Sequence, residues 1–238
     1  MTKLLVAEFR RDIDPREQPL YTVKEAASYL GVEPATLGTW FFGRRYDTKM
    51  EGQKFWNRVI VPADPELRLL SFFNLAEAHI LAATRYRHRV PFPSVRDAIA
   101  NIEKQFPQDS KHPLLAKEFY TNGLHIFVKQ IEGTIDVSRQ QLTFKAIMNR
   151  FIKRVIRDRH DVPFKVFPLA ENEKDDKVIS IVSGVSSSRP IIDGNGVPAL
   201  TVWRRFKAGE EPKFLAQDYD TTLPKIKRAI DYIEKRAA

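Results

Sequence analysis

YTVKEAASYLGVEPATLGTWFF, residues Tyr21–Phe42, holds two helix signals separated by one break. Thr22 is placed to cap a helix, with Glu25 three residues on as its reciprocal partner. Val23, Ala26, Ala27 and Leu30 follow at helical spacing, Gly31 ends the run, and Val32 packs the turn. Pro34 suits a first helical position and opens a second helix with Leu37, Trp40 and Phe41 as its apolar face. Two short helices about a glycine-containing turn predict a helix-turn-helix, in which the second helix enters the major groove.

Downstream, Arg44–Met50 and Phe55–Pro62 read as two strands around a Glu51-Gly52 turn, in the position of a wing. Arg44, Arg45, Lys49, Lys54 and Arg58 make this hairpin basic and able to meet phosphates. Asn74 is placed to cap a helix from Leu75 to about Arg87, with Leu75, Ala78, His79 and Ala82 as its stripe. His79 reads as a core or boundary histidine, since no second ligand sits at metal spacing near it. Ser94 is placed to cap a further helix through Ile99, Ile102 and Phe106.

In the middle of the chain, Asn122-Gly123 is a turn signal, and Leu124, Ile126 and Val128 alternate with His125, Phe127 and Lys129. With a return over Thr134–Val137 this predicts a β-hairpin. Ser138 then caps a long helix, Arg139 to about Arg159, with Phe144, Ile147 or Met148, Phe151 and Val155 as its apolar stripe. Lys145, Arg150, Lys153, Arg154 and Arg157 cover its other faces, as a surface for nucleic acid or an acidic partner or as a solvated helix face. The 238-residue chain has a formal net charge of +9, and residues 111–170 hold most of the excess. A basic patch of this kind favours an anionic partner, nucleic acid or an acidic protein cleft.

The last third begins with an acidic linker, Glu171–Asp176, and a strand at Val178–Val182. Arg189-Pro190-Ile191-Ile192 leads into a sharp Asp193-Gly194-Asn195-Gly196 turn. Three helices follow, about Leu200–Lys207, Pro212–Tyr219 and Leu223–Lys235. Val202, Phe206, Phe214, Leu215, Ile226, Ile230 and Ile233 form their expected core. The last two helices are spaced like a second helix-turn-helix, with Lys225, Lys227 and Arg228 at its exposed start. Arg189, Arg204 and Arg205 are further basic candidates. So small a core is marginal alone and calls for help from the middle region or a second subunit.

Cysteine is absent, which excludes a disulfide framework and thiolate metal sites. No apolar run nears the length of a membrane helix, and MTKLLVAEFRRD reads as a first strand, so a cytoplasmic protein without membrane partners is expected. HExxH, GxSxG and phosphate-loop patterns are missing, and Asp158-Arg159-His160-Asp161 reads as a solvated loop. No enzyme activity, cofactor or metal is expected.

The C-terminal segment from Lys177 to Tyr232 resembles the domain of unknown function 433, found in bacterial antitoxins that pair with nuclease toxins. Tyr21–Phe42 resembles the MerR-type helix-turn-helix, which implies that Glu33, Ala35, Thr36, Gly38 and Thr39 lie nearest DNA, with Thr36 and Thr39 as contacts; it departs from that family with Glu33 where serine is usual and Gly38 where arginine is usual. Their order, with LSFFNLAEAHIL and HPLLAKEFYTNGLHIF between, is similar to the larger Vap-type antitoxins over nearly the whole chain. The resemblance implies a homeodomain-like trihelical unit at the end and a homodimer. It also implies an antitoxin that neutralises a PIN-like nuclease toxin and binds its operator DNA, with the basic helix of Lys145, Arg150, Lys153, Arg154 and Arg157 as a toxin- or nucleic-acid-binding element. Two readings stay open beside it: a stand-alone DNA-binding transcription regulator, and a protein-interaction module without DNA binding. The expected fold is α+β, mainly α. It comprises a winged helix-turn-helix domain (1–110), a central β-hairpin and basic helix (111–170) and a trihelical domain (171–238).

Overall fold

The computed structural model describes residues 12–48, 52–84, 90–107, 111–132, 141–169 and 176–237. It is α+β and mainly helical. The chain divides into two compact units in place of the three expected from sequence: Met1–Ala27 with Val32–Lys153, and Ser28–Gly31 with Arg154–Ala238. The expected first strand, Lys49, the Thr134–Val137 return, the Ser138 cap and the body of the acidic linker lie outside the described residues.

In the first unit, β1 (Tyr21–Thr22) leads into α1 (Val23–Leu30) and α2 (Pro34–Phe42), the helix-turn-helix expected. The Thr22–Glu25 capping box forms in both directions: Glu25 N–H donates to Thr22 Oγ1 at 3.2 Å, and Thr22 N–H to Glu25 Oε2 at 3.0 Å. A hairpin follows, β2 (Arg44–Thr48) with β3 (Gly52–Trp56), so the second strand starts earlier than the sequence suggested. The chain after it is drawn back to α2, where Val59 and Ile60 N–H both donate to the Trp40 carbonyl, at 2.7 and 3.1 Å.

β4 (Leu69–Leu70) pairs antiparallel with β1 and delivers the chain to α3 (Phe72–Ala82). Ser71 caps α3, and Asn74 is the third helical residue of that capping box, which moves the start three residues upstream of the one expected. Asn74 carries more than the cap. Its Oδ1 accepts from Ala63 N–H at 2.8 Å and Ser71 N–H at 3.1 Å, and its Nδ2 donates to the Val61 carbonyl at 2.8 Å. Every residue of α3 is buried, including the polar Asn74, Glu77 and His79, each of which has a hydrogen-bond partner. His79 is 0% exposed and its Nε2 lies 3.2 Å from the Phe151 carbonyl, a core histidine.

α4 (Phe92–Gln105) begins at a Pro91 N-cap, with Ser94 inside its first turn. The expected central hairpin is a helix instead: a π-helical turn at Phe119–Gly123 runs into α5 (Leu124–Glu132). Leu124, Phe127, Val128 and Ile131 are buried while His125 and Lys129 are exposed, a spacing that only a helix puts on one face. α6 (Gln141–Ile152) completes the unit and stops well short of Arg159.

The second unit is a four-stranded antiparallel meander and three helices. β5 (Val155–Arg157), β6 (Pro163–Val166), β7 (Ile179–Val182) and β8 (Ile191–Ile192) neighbour one another in chain order. β5 and β6 lie in what the sequence reading assigned to the basic helix and central region, so this unit begins at Arg154 and not at 171. α7 (Ala199–Lys207), α8 (Pro212–Asp218) and α9 (Leu223–Ala237) stand within a residue or two of expectation. Ile179 and Ile192 from the sheet join Ala199, Val202, Leu215, Ile226, Ile230 and Tyr232 in one core. The sheet thus supplies apolar area that three short helices lack. Phe214, expected in that core, is 61% exposed. The Asp193 side chain ties the turn down, accepting from Ser180 Oγ at 2.8 Å and Lys165 Nζ at 3.0 Å.

A largely buried ionic cluster joins three separate segments of the first unit. His112 sits between two carboxylates, Nδ1 2.8 Å from Glu77 and Nε2 3.1 Å from Glu17, and Lys111 Nζ is 2.9 Å from Glu17. Both imidazole nitrogens face acceptors, so the doubly protonated ring fits the site. Burial pulls the His112 pKa down, but its hydrogen bonds to Glu17 and Glu77 outweigh that and lift it to about 9. Burial pushes Glu77 up, which the His112 contacts only partly offset. For Glu17 burial is outweighed by His112 and Lys111, and its pKa is lowered. A group whose folded pKa is raised stabilises fully below its unfolded value and loses that contribution as pH rises through the folded one. The His112 contribution is therefore whole below pH 6.5 and lost through pH 9. Urea denaturation should show stability falling by roughly 2–3 kcal/mol between neutral pH and about pH 9.5. His112→Gln should be less stable at neutral pH and lack that alkaline slope.

Candidate nucleic-acid interface

α2 presents two unlike faces. Leu37, Trp40 and Phe41 are buried, while Pro34 and Ala35 are exposed and Thr36, Gly38 and Thr39 are half-buried. Glu33 is the N-cap but makes no capping bond with its side chain. Thr39 Oγ1 donates to the Ala35 carbonyl at 2.9 Å, so the hydroxyl is engaged inside the helix. Along this face runs an open groove of about 560 Å³, lined by Pro34, Thr36, Gly38 and Thr39, with Arg44 and Arg68 also in its wall.

The two arginines arrive from different elements. Arg44 opens β2, directly after Gly43, and lies opposite Trp56 in the hairpin register. Arg45 lies opposite Phe55, so the two neighbours project from opposite faces of the hairpin. The sequence reading grouped them as equivalent phosphate contacts; only Arg44 lines the groove. Tyr46 and Trp56 share the Arg44 face, with ring centroids 4.6 Å apart, and Trp56 stacks on Phe92 of α4 at 5.8 Å. Those contacts tie the hairpin to the body of the unit. Lys54 and Arg58 are exposed beyond it.

Arg68 was not among the residues expected from sequence. Asp64 Oδ1 accepts from Glu66 and Leu67 N–H at 2.9 and 2.8 Å, and Asp64 and Leu69 exchange backbone bonds, closing a tight loop. Arg68 sits at its end with φ 55°, and its guanidinium lies 3.9 Å from the centre of the Phe42 ring. A cation–π contact to the last residue of α2 holds this charge at the groove. The Asp-Pro pair before it marks a turn, but nothing in the local sequence tells that the turn folds against α2.

Elsewhere much of the expected basic surface is engaged internally. Of the residues assigned to the basic helix, Lys145 and Arg150 lie on α6 and Lys153 just past it. Arg154 is 3% exposed and donates from Nε to the Phe167 carbonyl at 2.8 Å, with further bonds to the Pro168 and Asp176 carbonyls. Arg157 is on β5 and donates to the Asp161 carbonyl at 2.7 Å. Neither belongs to a basic helix, because the helix ends at Ile152.

In the second unit Arg205 pairs with Glu210 and Asp218. Arg228 pairs with Asp176 at 3.0 Å and Asp231 at 3.2 Å. Lys225 Nζ donates to the Asp193 carbonyl at 3.2 Å. Arg189, Arg204 and Lys227 are exposed. The second helix-turn-helix-like pair thus has two of its three expected cations drawn into its own structure. The Asp158–Asp161 segment is the β5–β6 turn, with Asp158 Oδ1 accepting from His160 and Val162 N–H. No group of three metal-ligating side chains occurs among the described residues, and no described helix is long and apolar enough to cross a membrane.

Residues 19–99 match a protein-family model described as "Putative DNA-binding HTH domain", a span running from β1 through the helix-turn-helix, the hairpin and α3 into α4. Over 90% of its length the chain is 27% identical to the "Putative antitoxin VapB45" of Mycobacterium tuberculosis, covering 94% of that protein. It is 26% identical to the uncharacterized protein Rv2308 of the same organism, with 92% of each covered. Its fold is similar to the crystal structure of Rv2018 from Mycobacterium tuberculosis, with a TM-score of 0.64 at 21% identity over 94% of this chain and all of the other.

Two glycines at the interface differ in what they tolerate. Gly43 has φ +72°, and a Cβ there would meet the Trp56 carbonyl at 2.2 Å. Gly38 has ordinary helical backbone, and the nearest atom to a Cβ would be Val23 Cγ1 at 3.9 Å. Gly43→Ala should cost about 1–3 kcal/mol, whereas Gly38→Ala should stabilise by up to about 1 kcal/mol. Urea denaturation of both variants measures the difference.

Proposed function

We propose that this protein is a DNA-binding antitoxin: its first unit binds the operator of its own operon, and the whole chain neutralises a nuclease toxin of the PIN-like class. The observation that carries the DNA-binding half is the groove on α2 with Arg44 and Arg68 in its wall, inside the segment that matches the helix-turn-helix family model. Phosphates approaching that face meet two guanidinium groups, that of Arg68 held on the Phe42 ring, and the α2 surface beside them carries only small side chains at Ala35, Thr36, Gly38 and Thr39. The MerR-like reading of this unit, with the hairpin as its wing, fits the same geometry. The bonds that Lys225 and Arg228 make to Asp193 and Asp176 favour the first unit over the last two helices as the DNA reader.

The antitoxin half rests on similarity along 90% of the chain to a protein named as an antitoxin. It includes the reading of the C-terminal helices as a domain of unknown function 433 and of the active species as a homodimer, whose twofold axis would match a palindromic operator. A stand-alone regulator shares the DNA-binding half and lacks the toxin.

Two measurements test this. Affinity for the promoter DNA of its own operon should fall steeply with salt. Arg44→Ala/Arg68→Ala should weaken it at least tenfold and reduce the log–log salt slope by about 2, while Lys227→Ala leaves both unchanged. Equal binding by the double variant would remove the groove from the interface. Co-expression with the neighbouring gene should yield a stable complex in which that product's nuclease activity is silent. A neighbour without nuclease activity, or one still active in the complex, would leave only the regulator.

A further inference from the structure

We infer that α2 reads its DNA through thymine methyl groups in the major groove, with its arginines serving phosphates at the rim. This rests on the DNA-binding reading above and adds the class of base contact.

Base recognition usually depends on forked donors such as arginine, asparagine or glutamine aimed at base edges. The solvent side of α2 carries none: its residues are Pro34, Ala35, Thr36, Gly38, Thr39 and Phe42. The Thr39 hydroxyl gives its proton to the Ala35 carbonyl, so towards a base it offers no donor, only an acceptor lone pair and its methyl. Glu33, at the helix entry, can only accept, which sets it against phosphates and against the acceptor edge of guanine. Small apolar groups of this kind match the thymine methyl, the one apolar feature of the major-groove code.

Gly38 points the same way. Its backbone is helical and the protein has room for a Cβ, so neither conformation nor internal packing accounts for a residue that weakens the helix. A partner surface that comes into contact with the helix backbone does account for it, and a thymine methyl between Thr36 and Thr39 is such a surface. Arg44 and Arg68, in the groove wall, supply the charge complementarity that selects a nucleic acid over an apolar peptide as the occupant.

The test uses the full chain and duplexes selected by it from a random pool. Each thymine of the selected site is replaced in turn by deoxyuridine, which lacks only the methyl. At two or more positions the replacement should weaken binding about fourfold, the ratio for ~0.8 kcal/mol of methyl burial. Gly38→Ala should bind the thymine duplex at least tenfold more weakly while keeping full thermal stability, and deoxyuridine at the contacted position should recover part of that loss. Tight, salt-sensitive binding indifferent to every deoxyuridine would overturn methyl readout and leave the DNA-binding reading standing. Selection of no duplex at all would overturn both.

Discussion

The junction at the end of α2 sets the geometry of the groove in the first unit. Trp40 offers one carbonyl to two amides, Val59 and Ile60, which pins the chain leaving the hairpin to the chain entering it. Between them Gly43 turns with a positive φ so close to the Trp56 carbonyl that no side chain fits. The hairpin consequently has one allowed approach to α2, and Arg44 enters the groove because of it. Trp56 then meets Tyr46 and Phe92, so the aromatic packing holds the hairpin where the backbone aims it.

Beyond this junction, burial and charge are balanced locally. α3 is buried along its whole length and carries an acid, Glu77, into the core. That is sustainable because His112 brings a matching charge, which Glu17 and Lys111 complete at the edge. In the second unit the guanidinium of Arg154 is fully inside and satisfies carbonyls that leave the sheet. The positive excess of residues 111–170 is thus partly structural. A net charge of +9 overstates how much cationic surface is offered to a partner.

The local signals in the sequence were strong where one helix face had to be buried. The Thr22–Glu25 capping box, Gly31, Pro34 and the Leu37–Trp40–Phe41 stripe specify the helix-turn-helix without outside help, and the last three helices are marked equally well by Gly209 and Pro212. Residues 119–132 show the opposite case. Leu124, Ile126 and Val128 alternate like a strand, yet Leu124, Phe127, Val128 and Ile131 satisfy a helix, and the Asn122-Gly123 signal falls inside a π-helical turn. Both patterns were present, and packing against α4 and α6 selected the helical one. The strands β5 and β6 were hidden for a related reason: runs of three and four residues that mix apolar and basic side chains carry no strand signal of their own until a sheet partner exists.

Sequence by itself determined the helix-turn-helix, the small residues of its outer face, and the order of the C-terminal elements, because capping, turn and periodicity rules act over a few residues. Only the tertiary structure decided which cations remain for a partner. Arg44 and Arg45 are adjacent in sequence but on opposite faces of a hairpin, and Arg68 reaches Phe42 only because a loop closed by Asp64 folds over the end of α2. Arg154 and Arg228 read as surface charge until the carbonyls and carboxylates around them are known. A charged side chain's role depends on what lies within a few ångströms of it, and for these residues that neighbour comes from elsewhere in the fold.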